Sequence, residues 1–304
     1  MSGLITCLPW QPAYALVAAY GLFGGGSNNA ATYSTLSTWK YGFSNGVVAN
    51  GTSLVNPHVQ LPATFGNDVT GMFVSGYKPN PVALASDRYT FANDIRTTGA
   101  SLTAMITYAS SFSSLTIGVI CRGFTGAAFV TTTSKYTYAS NGFSAGTSFS
   151  GSAYNGPAVG NGEFGLSCDG NNVALQKYII NTGVISTSSS LQSTRTGSAS
   201  MSAKEFGIIA FGNGGASYDK FMYADGTVIR TLTAAPAIVI GAGAGNKDVG
   251  VLVGDSTGNG NIGAGGTTLI STKMVFVDET MAASSTFSAA FPYLGGVSSA
   301  PAYF

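Results

Sequence analysis

One hexapeptide constrains the fold more than any other feature of this chain. "GLFGGG", Gly21 to Gly26, returns in weaker form as "GMFVSG" from Gly71, "GVICRG" from Gly118, "GLSCDG" from Gly165, "GIIAFG" from Gly207 and "GVLVGD" from Gly250. Successive copies start 50, 47, 47, 42 and 43 residues apart, a period that belongs to solenoids, propellers and arrays. A second mark follows each copy: "WKYGFSNG", "DRYTFAND", "SKYTYASN", "LQKYIINTG", "YDKFMYADG" and "STKMVFVDE". A basic residue holds the same place in every one. Lys40, Arg88, Lys135, Lys177, Lys220 and Lys273 thus account for 6 of the 13 Lys and Arg.

Each unit closes on a third segment, such as "VVANGTSL" or "IRTTGASL", and a fourth, small and apolar, leads into the next, as in "VQLPATFG" and "AIVIGAGAG". Asn, Asp and Gly stand between the second and third marks, at Ser44-Asn45-Gly46, Asn93-Asp94 and Asn141-Gly142 for example. These residues tolerate the positive φ of tight hairpins. The segments are short and β-branched or alternating, and helical periodicity is absent. Six modules of four strands predict an all-β chain forming a single β-propeller. In that fold Leu22 and Phe23 pack between neighbouring blades, and the glycines end the strand where blades crowd. The fourth segment occurs seven times, counting Tyr14 to Ala19 and Phe291 to Ser299, whereas the others occur six times. The expectation is six blades with a ring closed by terminal strands; seven, one of them incomplete, is the alternative. The propeller domain occupies residues 1–304, with 1–13 and 300–304 as closure or anchoring segments.

A glycine doublet after an apolar strand, followed by a strand centred on an aromatic, resembles the kelch motif. The fuller form, "GLFGGG … WKYGFSNGVVANGTSL", is similar to the glycine-rich kelch-like repeats of bacteriophage tail and other virion proteins. The similarity runs from about Tyr14 to Phe287 and weakens in modules four to six, where the glycine run erodes to "CDG", "FGN" and "GDS". The resemblance implies a virion protein, of tail-fibre or head-decoration type.

Composition fits that setting. Charged residues make up 8% of the chain, against roughly 25% in a typical soluble domain, so Ser, Thr, Asn and backbone carry the solubility. A net charge of +1 offers nucleic acid or an anionic membrane no broad basic field. The N-terminus lacks the basic start of a signal peptide and contains Pro9 and Pro12. Ala13 to Phe23 is too short to span a bilayer. Cys7, Cys121 and Cys168 are odd in number and read as reduced core residues, not as a disulfide framework.

Candidate chemistry is thin. His58 is the one histidine; it lies in a linking segment and reads as structural, and the copper site of kelch-type oxidases would need further histidines. Asp68, Glu163, Glu205 and Asp248 precede the module glycine in their modules and would gather near one end of the ring, where they read as solvated turn acids. The module cations, one per blade, read as packing an acid or carbonyl at the blade rims, with Asp87-Arg88 and Asp219-Lys220 as examples. "GNGNIG", Gly258 to Gly263, lacks the βαβ context of a dinucleotide fingerprint, and the sequon Asn50-Gly51-Thr52 falls within a predicted strand.

The expected function is therefore non-enzymatic. No catalytic, metal or cofactor-binding residue is assigned, and no cofactor is expected. The disc would sit on a phage tail or capsid, synthesised in the host cytoplasm, in multiple copies. It would contact other virion proteins and a host glycan or receptor, without nucleic acid or membrane insertion. Trp10, Tyr77, Phe124, Tyr154 and Tyr303 are the candidate surface contacts. A carbohydrate-binding propeller outside a virion is the alternative. A channel enzyme and a cellular adaptor rank below both.

Overall fold

The computed structural model describes residues 19–26, 36–58, 62–76, 84–152, 156–212, 215–232, 239–255, 269–287 and 295–298. The chain begins with β1 (Tyr20–Gly24), β2 (Thr38–Gly42) and β3 (Val48–Gly51). Next come β4 (Ala63–Gly66), β5 (Thr70–Val74), β6 (Ser86–Thr90) and β7 (Ile95–Thr98), then β8 (Ser110–Ser113), β9 (Ile117–Phe124), β10 (Phe129–Thr137) and β11 (Gly142–Gly146). The fourth group is β12 (Ala158–Gly160), β13 (Phe164–Ser167), β14 (Ala174–Ile179) and β15 (Ile185–Ser190). The fifth is β16 (Ala199–Ser202), β17 (Phe206–Ala210), β18 (Ser217–Met222) and β19 (Val228–Leu232). β20 (Val239–Gly245), β21 (Val249–Asp255), β22 (Leu269–Val275) and β23 (Thr280–Ala283) follow, and β24 (Gly295–Ser298) is the last described strand.

These strands form six four-stranded antiparallel sheets, the blades of a six-bladed propeller. Five blades are contiguous in sequence. The first has the order β24-β1-β2-β3, so a strand from the C-terminal region supplies its inner position. Gly21 pairs with Ser298 and Leu22 with Val297 in that closure. The seventh apolar segment thus completes the first blade instead of starting a seventh, and the ring has no open inner edge there.

Register confirms the repeat alignment residue by residue. The second position of each hexapeptide lies opposite the module cation: Leu22 with Lys40, Met72 with Arg88, Val119 with Lys135, Leu166 with Lys177, Ile208 with Lys220 and Val251 with Lys273. The first position, the glycine, faces Tyr41, Tyr89, Tyr136, Tyr178, Phe221 or Met274 across the ladder. A large side chain thereby covers the bare glycine.

The core is not one mass but six clusters, one at each contact between neighbouring blades. Successive strand residues point to opposite faces of a sheet. Leu22 accordingly joins Phe73 and Tyr89 of the second blade, whereas Phe23 joins Val251 and Phe287 of the sixth. Both faces of the strand are buried, which is why Leu and Phe stand side by side with no polar residue between them.

The glycines do two jobs. The first in the hexapeptide, at Gly21, Gly118, Gly165, Gly207 and Gly250, makes room for the inner strand of the preceding blade: a Cβ built on Gly118 would lie 2.1 Å from the Phe65 ring, and one on Gly165 would lie 2.1 Å from Phe112. The last ones turn the chain. Gly25 and Gly26 both have positive φ, and the same two places are held by Ser75-Gly76, Arg122-Gly123 and Phe211-Gly212 with positive φ throughout. Non-glycine residues there carry a conformational cost that the surrounding blade packing must outweigh.

Candidate functional site

Antiparallel order sorts the connections onto two faces. Turns from the first to the second and from the third to the fourth strand of each blade emerge at one end of the ring, called here the turn face. The other connections emerge at the opposite end, the loop face. Turns on the first face span three to five residues; loop-face connections span four to thirteen.

The turn face holds most of the ionic chemistry. Its turns contain Asp68, Asp94, Glu163, Glu205, Asp225, Asp248, Asp278 and Glu279, eight of the chain's 12 acids. Asp68, Glu163, Glu205 and Asp248 are exposed, one per blade, at the common end that their repeat positions predict. The turns of Asp68, Glu163 and Asp248 are held by a neighbouring asparagine side chain. Asn67 Oδ1 accepts from the Val69 and Thr70 amides at 3.0 and 2.8 Å, and Asn246 Oδ1 does the same for Asp248 and Val249 at 2.9 and 2.8 Å. No group of three His, Cys, Asp or Glu able to hold a metal occurs among the described residues.

Three of the module cations, Lys40, Lys220 and Lys273, reach from one blade to the next. Lys40 Nζ lies 2.7 Å from Asp94 of the second blade and 5.0 Å from the Tyr20 ring centroid. Lys220 pairs with Glu279 of the sixth blade and sits over Phe206 at 4.5 Å, while Lys273 Nζ donates to the Phe43 carbonyl of the first blade at 3.3 Å. The acid or carbonyl thus belongs to the next blade. The sequence neighbours Asp87 and Asp219 point to the other side of the strand and take different partners.

Those partners come from loop-face connections. Asp219 is fully buried and accepts from Arg195 Nε at 2.8 Å; the guanidinium also donates to the Phe211 and Ser217 carbonyls at 3.1 and 2.9 Å. Asp87, equally buried, accepts from the Val55 and Asn56 amides at 2.8 and 2.9 Å and from Asn56 Nδ2 at 2.8 Å. His58 Nε2 stands 3.4 Å from the same carboxylate, and its Nδ1 lies 2.7 Å from the Ser75 carbonyl. Burial works to raise the Asp87 pKa, but the His58 and Asn56 contacts together outweigh it and hold the carboxyl below its ordinary value. His58 is therefore a clasp for the first linker. Blades two and five, opposite each other in the ring, each bury an aspartate beneath a loop-face connection and hold it with different partners.

Arg122 is a further buried cation. It is 2% exposed, donates to Gln176 Oε1 at 2.7 Å and lies 4.6 Å from the Phe149 ring centroid. Sequence reasoning missed Arg122 and Arg195 because neither occupies the repeated cation position. Cys121 and Cys168 are buried free thiols within blade-to-blade clusters, and burial pushes them up to about 12 and about 11. Neither has the thiolate character of a nucleophile or ligand at neutral pH.

The inner strands enclose a central cavity of about 180 Å³ whose described wall residues are Gly, Ala, Ser, Thr, Pro, Val, Phe and Met. Its hydroxyls stitch neighbouring blades together. Thr64 Oγ1 donates to the Gly296 carbonyl at 2.8 Å, Ser111 Oγ to the Thr64 carbonyl at 2.7 Å and Ser113 Oγ to the Gly66 carbonyl at 2.7 Å. Among the described residues of the wall, none carries a titratable side chain.

Of the candidate surface contacts, Trp10, Tyr77, Tyr154 and Tyr303 lie outside the described residues, as do "GNGNIG", Cys7 and the two terminal segments. Phe124 ends β9 at the loop face, half-buried, with its ring centroid 5.1 Å from that of Phe129. Asn50 is exposed in β3, so the sequon lies in a strand as the pattern predicts. No protein-family model matches the chain, and no curated protein matches it.

Proposed function

We propose that this chain is a non-enzymatic propeller disc of a bacteriophage particle, built from kelch-like repeats and mounted on the tail or capsid. It serves attachment to a host surface or decorates the particle, with the loop face turned outward. The observation that carries this reading is the division between the two faces. Ionic groups are spent on turns and blade-to-blade contacts at one end. At the other, the described parts of the connections contain only Asp169, Arg195 and His58 as titratable side chains apart from Tyr108 and Cys168, and Arg195 and His58 are buried. Connections whose described residues carry few charges and many hydroxyls and glycines suit contact with a surface more than turnover of a substrate.

The test is direct. The intact chain is purified, its mass in solution measured, and its binding assayed against a panel of bacterial cells and against isolated phage capsids and tails. Retention on cells supports receptor attachment, and retention on particles alone supports a decoration or connector role. Binding to neither overturns the virion reading in favour of a carbohydrate-binding propeller outside a particle.

A further inference from the structure

One buried charge near the loop face lacks the partner that the repeat supplies elsewhere. The residue before the module cation is Asp87 in the second blade and Asp219 in the fifth, and both carboxylates are fully buried. The same place in the fourth blade is Gln176, which is neutral. Asp219 and Gln176 each face an arginine, and the two pairs differ.

Arg195 is saturated. Its Nε donates to Asp219 Oδ2 at 2.8 Å, its Nη1 to the Phe211 and Ser217 carbonyls at 3.1 and 2.9 Å, and its Nη2 to Ser217 Oγ at 3.1 Å. Charge meets charge, and every guanidinium nitrogen has an acceptor.

Arg122 has far less. It lies in the long β9–β10 hairpin, whose strands run to eight and nine residues. Its one hydrogen bond goes from Nη2 to Gln176 Oε1 at 2.7 Å, and its Nε is buried without a partner. Among the described residues no carboxylate forms an ion pair with it; Asp169 is turned to the amide and Nδ2 of Asn172. Buried charges are ordinarily paired, because an unpaired one bears its full desolvation cost. Burial holds the guanidinium pKa below its ordinary value; Cys121, Cys168 and Asp169 act the other way and do not restore it. The backbone adds a further cost. Arg122 has a φ of 58°, in the place that the first blade gives to Gly25.

The amide that receives Arg122 reaches the surface. Gln176 is half-buried and Ser150 exposed; Gln176 Oε1 also accepts from the Ser150 amide at 3.2 Å, and Gln176 Nε2 bonds Ser150 Oγ.

We propose that Arg122 and Gln176 form a site for a small carboxylate anion, which supplies the negative charge that Asp219 supplies to Arg195. The planar guanidinium presents the forked donors that a carboxylate matches, and Gln176 Nε2 and the Ser150 hydroxyl add donors at the rim. The inference goes beyond the attachment reading and stands whether or not the loop face meets a host surface.

The test compares the melting temperature of the intact chain in sodium acetate or formate with that in sodium chloride, sulfate or phosphate, at one neutral pH and one ionic strength. A ligand of the native state alone raises the melting temperature. Acetate and formate at about 0.1 M should raise it by about 2 °C or more over chloride. Gln176→Glu builds the carboxylate in, so it should melt above the wild type and lose the acetate shift. Arg122→Met should lose the shift as well; if it folds poorly, Gln176→Glu carries the test alone. The site is overturned by a wild type without the acetate shift, by an equal shift in sulfate or phosphate, or by a shift that survives in Gln176→Glu. A Gln176→Glu that melts below the wild type overturns it too. Binding to the cells or particles that retain the chain then identifies the source of the anion. Competition by acetate places the carboxylate on that surface, and unchanged binding makes it a free anion; the acetate shift upholds the site in both cases.

Discussion

The two ends of the ring are built from the same strands and solve different problems. On the turn face, connections of three to five residues repeat the same design, and eight of the 12 acids lie there. On the loop face, connections reach thirteen residues, and the acids Asp87 and Asp219 lie buried beneath them with His58 and Arg195. The contrast teaches where symmetry is enforced. Short turns repeat because blade must meet blade there in a fixed register. Long connections are freed from that requirement and diverge, and divergence is what a recognition surface needs.

The loop-face anchors should be the most expensive features to remove. Asp219→Ala leaves the Arg195 guanidinium buried without its carboxylate, and such losses cost about 3–5 kcal/mol. Denaturant titration should show that drop; a loss under ~1 kcal/mol would mean the pair is not the anchor of its connection. Next comes blade-to-blade crowding. Gly165→Ala would bring a Cβ to within 2.1 Å of the Phe112 ring, and overpacking of that kind costs about 1–3 kcal/mol. Gly165→Ala should cost less in a Phe112→Ala background than in the wild type, because the nearest atoms to the added Cβ all belong to that ring.

Acid should then act on the Asp87 anchor. The Asp87 carboxyl has a folded pKa below its unfolded value of 3.8. It therefore contributes stability that is fully present above that unfolded value and is lost as pH falls through the folded one. Asp87→Asn should flatten the dependence of melting temperature on pH below about 4; an unchanged slope would remove Asp87 from the account. The turn-face latches rank lower. Lys40→Met breaks a half-exposed contact with Asp94 and should cost no more than about 1 kcal/mol, shrinking further in high salt. Val277→Ser, at a side chain 92% exposed, should change stability by less than about 0.5 kcal/mol.

Much of this was legible in the chain. The period fixed the blades, and the place of Lys40 and its five counterparts set the register later seen across every ladder. Gly118 and Gly165 announced crowding because no blade can bring Phe65 or Phe112 so close to a side chain. The pairing of charges was not legible. Lys40 and Asp94 are 54 residues apart, and their meeting depends on which face of a strand each residue occupies relative to the next blade. Arg195 and His58 come from connections without repeat symmetry, so no pattern marks them. The long hairpin left only a faint signal, two phenylalanines flanking "TGAA", and its bulge between Val130 and Thr133 disguises the alternation a strand pair would show.

The claim that recognition belongs to the loop face is tested most directly by placing one charge on each end of the ring. Ala127→Arg alters the exposed tip of the β9–β10 hairpin, and Val277→Arg alters an exposed turn on the other face. Both variants should melt as the wild type does. Binding to the bacterial cells or phage particles that retain the wild-type chain should fall at least tenfold in Ala127→Arg and stay within twofold in Val277→Arg. Loss confined to Val277→Arg would place recognition on the turn face and contradict the account.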